Sequence, residues 1–159
     1  MSVSVELARY RIPLILVARE LSKLRAVADD IERHYDVPVR ILQADLSSPD
    51  CARRIHDATT AAGLTVDILV NNAGVCAHGD LVDGVDDLDV SHMISVNVGA
   101  VTQLTRLYGR DMKERRRGRI LMVSSMSGAL PGNPSVAIYA ATKAYEKSLA
   151  SSLGREMER

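Results

Sequence analysis

Two side chains near the carboxyl end of the sequence, Tyr139 and Lys143, have the types and the spacing needed for proton transfer. Residues four apart share one face of a helix, so a predicted helix from Val136 to about Glu158 would bring the phenol and the ammonium together. A tyrosine hydroxyl ordinarily titrates near about 10, and a neighbouring cation must favour the phenolate before it is useful near neutrality. The pair alone is also compatible with a surface helix that turns one tyrosine toward the core.

Two segments that follow predicted strands supply groups that complement this pair. Ser124 and Ser125 come at the end of a strand over Gly118–Ser124 and would place a hydroxyl near a substrate carbonyl oxygen. Asn71–Gly74 (NNAG) ends the strand Asp67–Asn71, and its small residues would let the backbone approach a flat ligand closely. Ligands of parallel α/β sheets bind beyond the carboxyl ends of the strands, so these groups are expected at one edge.

These motifs resemble those of the short-chain dehydrogenase/reductase family, in which an NNAG strand end, a helical asparagine, a serine and a YxxxK helix follow in this order. The matching residues are Asn71 to Gly74, Asn97 in VNVGA, Ser125, Tyr139 and Lys143, and the resemblance covers essentially the whole chain. It implies an oxidoreductase that transfers a hydride between a nicotinamide cofactor and a small-molecule carbonyl or alcohol substrate.

The resemblance also implies a role for each catalytic side chain. Tyr139 would exchange a proton with the substrate oxygen, and Ser125 would hydrogen-bond the same oxygen. Lys143 would hold the nicotinamide ribose and favour the phenolate, while Asn97 would position a water that links the lysine to solvent. Ser124 remains the competing candidate for the serine, and the Asn97 amide could instead satisfy backbone groups.

Cofactor contacts are implied at three strand ends. Asn71, Ala73 and Gly74 would lie against the cofactor, as would the catalytic tyrosine and lysine, and Asp45 matches the family's adenine-contacting aspartate. Enzymes specific for NAD usually carry an acidic residue after the second family strand, whereas a basic residue accommodates the 2′-phosphate of NADP. Arg19 follows an alanine at that point, which favours NADP(H). A solvated arginine and a capping or turn aspartate are the alternatives.

Short apolar runs alternate with longer amphipathic stretches, which predicts an α/β fold with a parallel sheet. By resemblance the sheet is doubly wound and Rossmann-like, in a single partial dinucleotide-binding and catalytic domain over residues 1–159. The predicted strands are Ile12–Ala18, Val37–Gln43, Asp67–Asn71 and Gly118–Ser124. The predicted helices are Glu20–Tyr35, Pro49 to about Ala62 capped by Ser47 or Ser48, a region from about Asp86 to Arg116 broken near Asn97, and Val136 to about Glu158.

The family's opening strand and glycine loop (TGxxxGxG) have no counterpart before Ile12, and the first glycine is Gly63. Ser2–Ala8 aligns with the end of that loop and its helix, with serine where glycines let the backbone approach the pyrophosphate. The chain ends at Arg159, just after the YxxxK helix. The sheet is therefore expected to be incomplete, lacking its first and last strands. An active oxidoreductase and a catalytically inactive truncated relative are the two functions left open.

Composition argues against several other classes. Twenty basic and twenty acidic residues cancel, so nothing global attracts nucleic acid or anionic lipid. No early apolar run is long enough to cross a membrane, and the four histidines lack metal-site spacing. Cys51 and Cys76 have no metal or disulfide pattern, which is typical of a reducing compartment and predicts the cytoplasm. The resemblance further implies a homo-oligomer that pairs through the helices of Asn97 and Tyr139.

Overall fold

The computed structural model describes residues 2–130 and 132–158. Strands and helices alternate along them, which confirms the predicted α/β class. Among these residues no helix combines the length and the apolar character needed to span a membrane. In chain order the elements are α1 (Val3–Arg9), β1 (Leu14–Ala18), α2 (Leu21–Tyr35), β2 (Val39–Gln43), α3 (Cys51–Ala61), β3 (Ile68–Asn71), α4 (Asp87–Ile94), a π-helical turn (Ser95–Ala100), α5 (Val101–Arg115), β4 (Arg119–Met122), a 3₁₀ turn (Met126–Gly128) and α6 (Ala137–Met157).

The chain forms two compact units, residues 1–46 and residues 47–159. Each unit contains one pair of hydrogen-bonded strands, β1 with β2 and β3 with β4, and both pairs are parallel. The prediction of parallel pairing is confirmed. Within the described residues the strands make two two-stranded sheets, so each strand has a single partner. The prediction of a single domain stays a prediction.

The core of the first unit forms from α1, β1 and α2. Ser2 caps α1, because its hydroxyl accepts a hydrogen bond from the Val5 backbone N–H at 3.3 Å. The segment aligned with the glycine loop therefore begins as a serine-capped helix. The apolar face of α2 packs inward, as its helical periodicity predicts. The buried residues of this core are Ala8, Leu14, Ile31 and Val37.

In the second unit, α3 begins later than the sequence predicted. Its first residue is Cys51 and its N-cap is Asp50, so the assignment of Pro49 to the first turn, with a serine cap before it, was wrong. The Ser48 carbonyl accepts a hydrogen bond from the Cys51 backbone N–H at 3.0 Å. This turn takes up the residues that were expected to start the helix.

The long helical region between β3 and β4 is continuous but not uniform. The break predicted near Asn97 is one π-helical turn, Ser95–Ala100, between α4 and α5. A π-helical turn accommodates an extra residue without ending the helix, and such turns often occur at functional sites. Asn97 lies inside this turn and is fully buried.

Strands β3 and β4 end at the same edge, because they are parallel and Asn71 lies opposite Met122. The regular part of β4 stops at Met122, two residues before the predicted end, although the Val123 N–H still donates to the Asn71 carbonyl at 3.0 Å. The segments that leave this edge carry the serines and the NNAG motif. Both segments lie next to α6.

Candidate active site

Asn71 fixes the end of β3. Its side chain is buried, and its Nδ2 atom donates to the Thr105 hydroxyl on α5 at 2.9 Å. The next residues, including Ala73 and Gly74, are exposed. The amide therefore anchors the strand while the backbone after it turns outward. The contacts with a cofactor predicted for Asn71, Ala73 and Gly74 stay predictions.

Asn97 joins the loop after β3 to α6. Its Oδ1 atom accepts from the Val75 N–H and its Nδ2 atom donates to the Val75 carbonyl, both at 2.9 Å. The same Nδ2 atom donates to the Thr142 hydroxyl at 3.0 Å. The two bonds to Val75 match the alternative in which this amide satisfies backbone groups. The water-positioning role stays a prediction.

Lys143 is the buried cation of the site, with 4% of the residue exposed. Its Nζ atom lies 5.9 Å from the centroid of the Tyr139 ring, within the range of a cation–π interaction. The spacing of four residues therefore brings the two groups together, as predicted. A Cβ atom added at Gly74 would lie 3.2 Å from Nζ and 3.5 Å from Asn97 Oδ1. Gly74 therefore lies next to both the Asn97 amide and the Lys143 ammonium.

Tyr139 lies in the first turn of α6 and is partly exposed. Its carbonyl accepts a bond from the Thr142 hydroxyl at 2.8 Å, while its side chain makes no hydrogen bond among the described residues. The phenol oxygen can therefore receive a ligand group without first losing a protein partner.

The two candidate serines have different partners. Ser124 Oγ donates to the Lys143 carbonyl at 2.9 Å and so ties the end of β4 to α6. Ser125 Oγ accepts from the Ser127 N–H at 3.2 Å and caps the 3₁₀ turn. A hydroxyl that only accepts still has its own proton to donate. Ser125 can therefore offer a hydrogen bond to a substrate oxygen, whereas Ser124 already uses its proton within the fold.

Glu146 is a member of the site that the sequence analysis missed. Both of its carboxylate oxygens accept bonds from Lys143 Nζ, at 2.8 and 3.0 Å, and its side chain is 1% exposed. Burial raises the pKa of the Glu146 carboxyl above its usual 4.5, and the bonds from Lys143 oppose that rise. The available signal was a carboxylate three residues after the lysine, on the same helix face.

Arg19 and Asp45 belong to the first unit, and the other candidate residues belong to the second. Arg19 directly follows β1 and is exposed, and its carbonyl accepts a bond from the Gln43 side chain at 2.9 Å. Asp45 lies two residues after β2. Both therefore follow the carboxyl ends of parallel strands, where the sequence analysis placed them. Their contacts with a cofactor stay predictions.

The residues present fit one end of a nicotinamide dinucleotide. Gly74 keeps side-chain bulk away from Lys143, and the Tyr139 phenol is open to a ligand. These features suit a nicotinamide and its ribose. The fit to the cofactor's phosphates is poorer. No glycine precedes Gly63, and α1 begins with a serine cap. The described residues contain no counterpart of the family's glycine loop, and the binding of a nicotinamide beside Gly74 and Lys143 stays a prediction.

Comparison with known proteins agrees with this geometry. The family model for short chain dehydrogenase matches residues 1–159. The chain is 39% identical over 151 residues to an Arabidopsis thaliana very-long-chain 3-oxoacyl-CoA reductase-like protein, covering 93% of this chain and 48% of the relative. The human very-long-chain 3-oxoacyl-CoA reductase is 37% identical over 147 residues, covering 91% and 46%.

A solved structure is also similar: the short-chain dehydrogenase from Sphingobium yanoikuyae in complex with NADPH, with a TM-score of 0.88 and 29% identity. The match covers 98% of this chain and 59% of that one. The chain spans about half the length of the curated relatives that it matches. The whole-length family match and the shared fold lead to one conclusion: this chain belongs to the short-chain dehydrogenase family of oxidoreductases.

Proposed function

We propose that the chain is part of an NADP(H)-dependent oxidoreductase that interconverts a ketone and a secondary alcohol. The observation that carries this proposal is the placement of the Lys143 ammonium 5.9 Å from the Tyr139 ring, whose hydroxyl has no partner among the described residues. A tyrosine hydroxyl that is open to a ligand can exchange a proton with a substrate oxygen. Membership of an oxidoreductase family supports the same reading.

Each of the chain's own residues has a separate role near the substrate oxygen. The cofactor, when bound, supplies or accepts the hydride. Tyr139 Oη donates a proton to the oxygen during reduction and removes it during oxidation. Ser125 Oγ donates a hydrogen bond to the same oxygen and stabilises its developing charge. Lys143 Nζ, held by the Val123 carbonyl at 3.0 Å and by the Glu146 carboxylate, lies 5.9 Å from the centroid of the Tyr139 ring.

NADP(H) is the proposed cofactor rather than NAD(H). Arg19 is exposed immediately after β1 and has no acidic neighbour at position 18. A guanidinium at that point can pair with a 2′-phosphate, whereas the ribose hydroxyls of NAD favour a carboxylate. The similar Sphingobium structure holds NADPH, which supports this choice.

The proposed substrate is an apolar carbonyl compound, with a long-chain 3-oxoacyl thioester as the first one to test. A shallow surface depression adjoins the start of α6 and is lined by Ala77, Gly79, Leu81, Val85, Met93, Val136, Ala137 and Ile138. The names of the curated relatives point to the same substrate class.

Cofactor binding tests this proposal. NADPH fluorescence titrated against the purified chain is expected to saturate below millimolar concentration. Replacing Arg19 with Gln should weaken NADPH binding by about fivefold, a modest factor because the side chain is exposed, and should leave NADH binding unchanged. If wild-type protein shows no saturable change at millimolar NADPH, the chain is an inactive relative instead.

Two further predictions concern the protein in solution. Self-association through the helices that carry Asn97 and Tyr139 is proposed, and sedimentation at several concentrations would reveal a dimer or a larger species. Cytoplasmic localisation is likewise a proposal, to be checked by fractionating cells that express the tagged protein.

A further inference from the structure

Lys143 and Glu146 form an ion pair that the family motif does not include. Their side chains are 5% and 1% exposed, so water does not solvate either charge. Removing two charges from water costs several kcal/mol per ion, and only close, well-aligned hydrogen bonds offset that cost. The Lys143–Glu146 contacts, at 2.8 and 3.0 Å, are of that kind.

The pair takes up most of the hydrogen-bonding capacity of the lysine. An ammonium has three N–H groups, and Lys143 Nζ bonds three acceptor atoms: the Val123 carbonyl and the two Glu146 oxygens. The hydroxyls of a ribose need at least one of these N–H groups. The Val123 bond goes to the backbone at the end of β4, whereas the Glu146 bonds go to a side chain that can rotate.

We infer that Glu146 is a positioning residue that holds the Lys143 ammonium at the site and gives up one of its two bonds when a nicotinamide ribose binds. The inference rests on the proposed function, since it names the ribose as the competing partner. Glu146 therefore stabilises the chain without cofactor and weakens cofactor binding. These two effects have opposite signs, which a residue needed only for folding would not produce.

The Glu146→Gln variant tests the inference. The glutamine keeps the shape and one acceptor oxygen but loses the negative charge and the second acceptor. Lys143 then keeps a free donor for the ribose, so the NADPH dissociation constant should fall about fivefold. The buried ammonium loses its counter-ion, so the melting temperature without cofactor should fall by roughly 5 °C.

A matched control and a rescue variant accompany it. Glu156→Gln makes the same change of charge on the same helix at an exposed position ten residues away, and it should change neither quantity. Glu146→Asp restores the charge on a shorter side chain. It should recover part of the lost melting temperature and move the dissociation constant back toward the wild-type value.

A third measurement does not depend on the cofactor. An ammonium held by three buried acceptors exchanges its protons slowly, so Lys143 should give a resolved ¹H–¹⁵N side-chain signal in the wild-type chain. That signal should be lost in Glu146→Gln and kept in Glu156→Gln.

The outcomes distinguish the inference about Glu146 from the proposed function. If Glu146→Gln lowers both NADPH affinity and melting temperature, or keeps the Lys143 signal, the inference is overturned. If wild-type chain binds no NADPH, the proposed function fails for this chain, and the ammonium signal alone then decides whether Glu146 holds the lysine.

Discussion

Replacing Gly128 with alanine perturbs the contact between the 3₁₀ turn Met126–Gly128 and α6. The new Cβ atom would lie 2.5 Å from the Lys143 carbonyl carbon and 2.7 Å from the Ala144 nitrogen, both backbone atoms of α6. Ordinary contacts begin at 3.4 Å, so the turn and the helix must separate by about 0.9 Å. Gly128 does not have a positive φ, so the cost comes from this contact and not from backbone strain.

The expected loss follows from that displacement. Overpacking of this kind costs about 1–3 kcal/mol of unfolding free energy, equivalent to a fall of roughly 3–10 °C in melting temperature for a chain of this size. The Ser124–Lys143 bond of 2.9 Å should lengthen, and Ser125 should move relative to Tyr139. A misplacement near 1 Å can reduce turnover by about a hundredfold.

Thermal unfolding followed by circular dichroism measures the loss of stability, and NADPH consumption with a ketone substrate measures turnover. Gly154→Ala is the matched control, since it makes the same change on α6 where no atom lies within 4 Å of the new Cβ. That control should be neutral or stabilising by up to about 1 kcal/mol. A Gly128→Ala variant as stable and as active as the control would refute the packing described for this turn.

Two further predictions concern buried polar groups. Asn97→Ala removes three hydrogen bonds, two to Val75 and one to Thr142, and should lower the unfolding free energy measured in urea by about 2–4 kcal/mol. A loss below about 0.5 kcal/mol would contradict a stabilising role for these bonds. Burial raises the pKa of Tyr108, opposed by its 2.9 Å bond to Thr59, so its phenol keeps its proton to higher pH when folded than when unfolded. The contribution of Tyr108 to the unfolding free energy is therefore present below its usual pKa of 10.0 and declines as the pH rises above that value. A Tyr108→Phe variant, unfolded in urea over the same pH range, should lack this part of the decline.

Local spacing was enough to predict that Tyr139 and Lys143 lie together. Tyr139 and Lys143 lie four apart in a helix, and helical geometry alone places them on one face. The same holds for the α/β class, because the alternation of apolar runs and amphipathic stretches is a local pattern. The NNAG end of β3 was also predictable, since a strand followed by small residues reads directly from the sequence.

The features that could not be predicted depend on contacts between distant segments. The π-helical turn holds Asn97 where it bonds Val75, 22 residues earlier, and no local pattern encodes that meeting. The burial of Glu146 depends on how α6 packs against the rest of the fold, and an isolated helix would leave this carboxylate in water. Ser124 and Ser125 are adjacent in sequence, and their different partners, the Lys143 carbonyl for Ser124 and the Ser127 N–H for Ser125, distinguish them.

The most direct test of the proposed chemistry compares wild-type chain with Tyr139→Phe. Turnover of NADPH with a long-chain 3-oxoacyl thioester and the NADPH dissociation constant should be measured on the same samples. Loss of the phenol proton should reduce turnover by about a thousandfold while the dissociation constant changes by less than about twofold. A phenylalanine variant that keeps most of the wild-type turnover would contradict proton transfer by Tyr139.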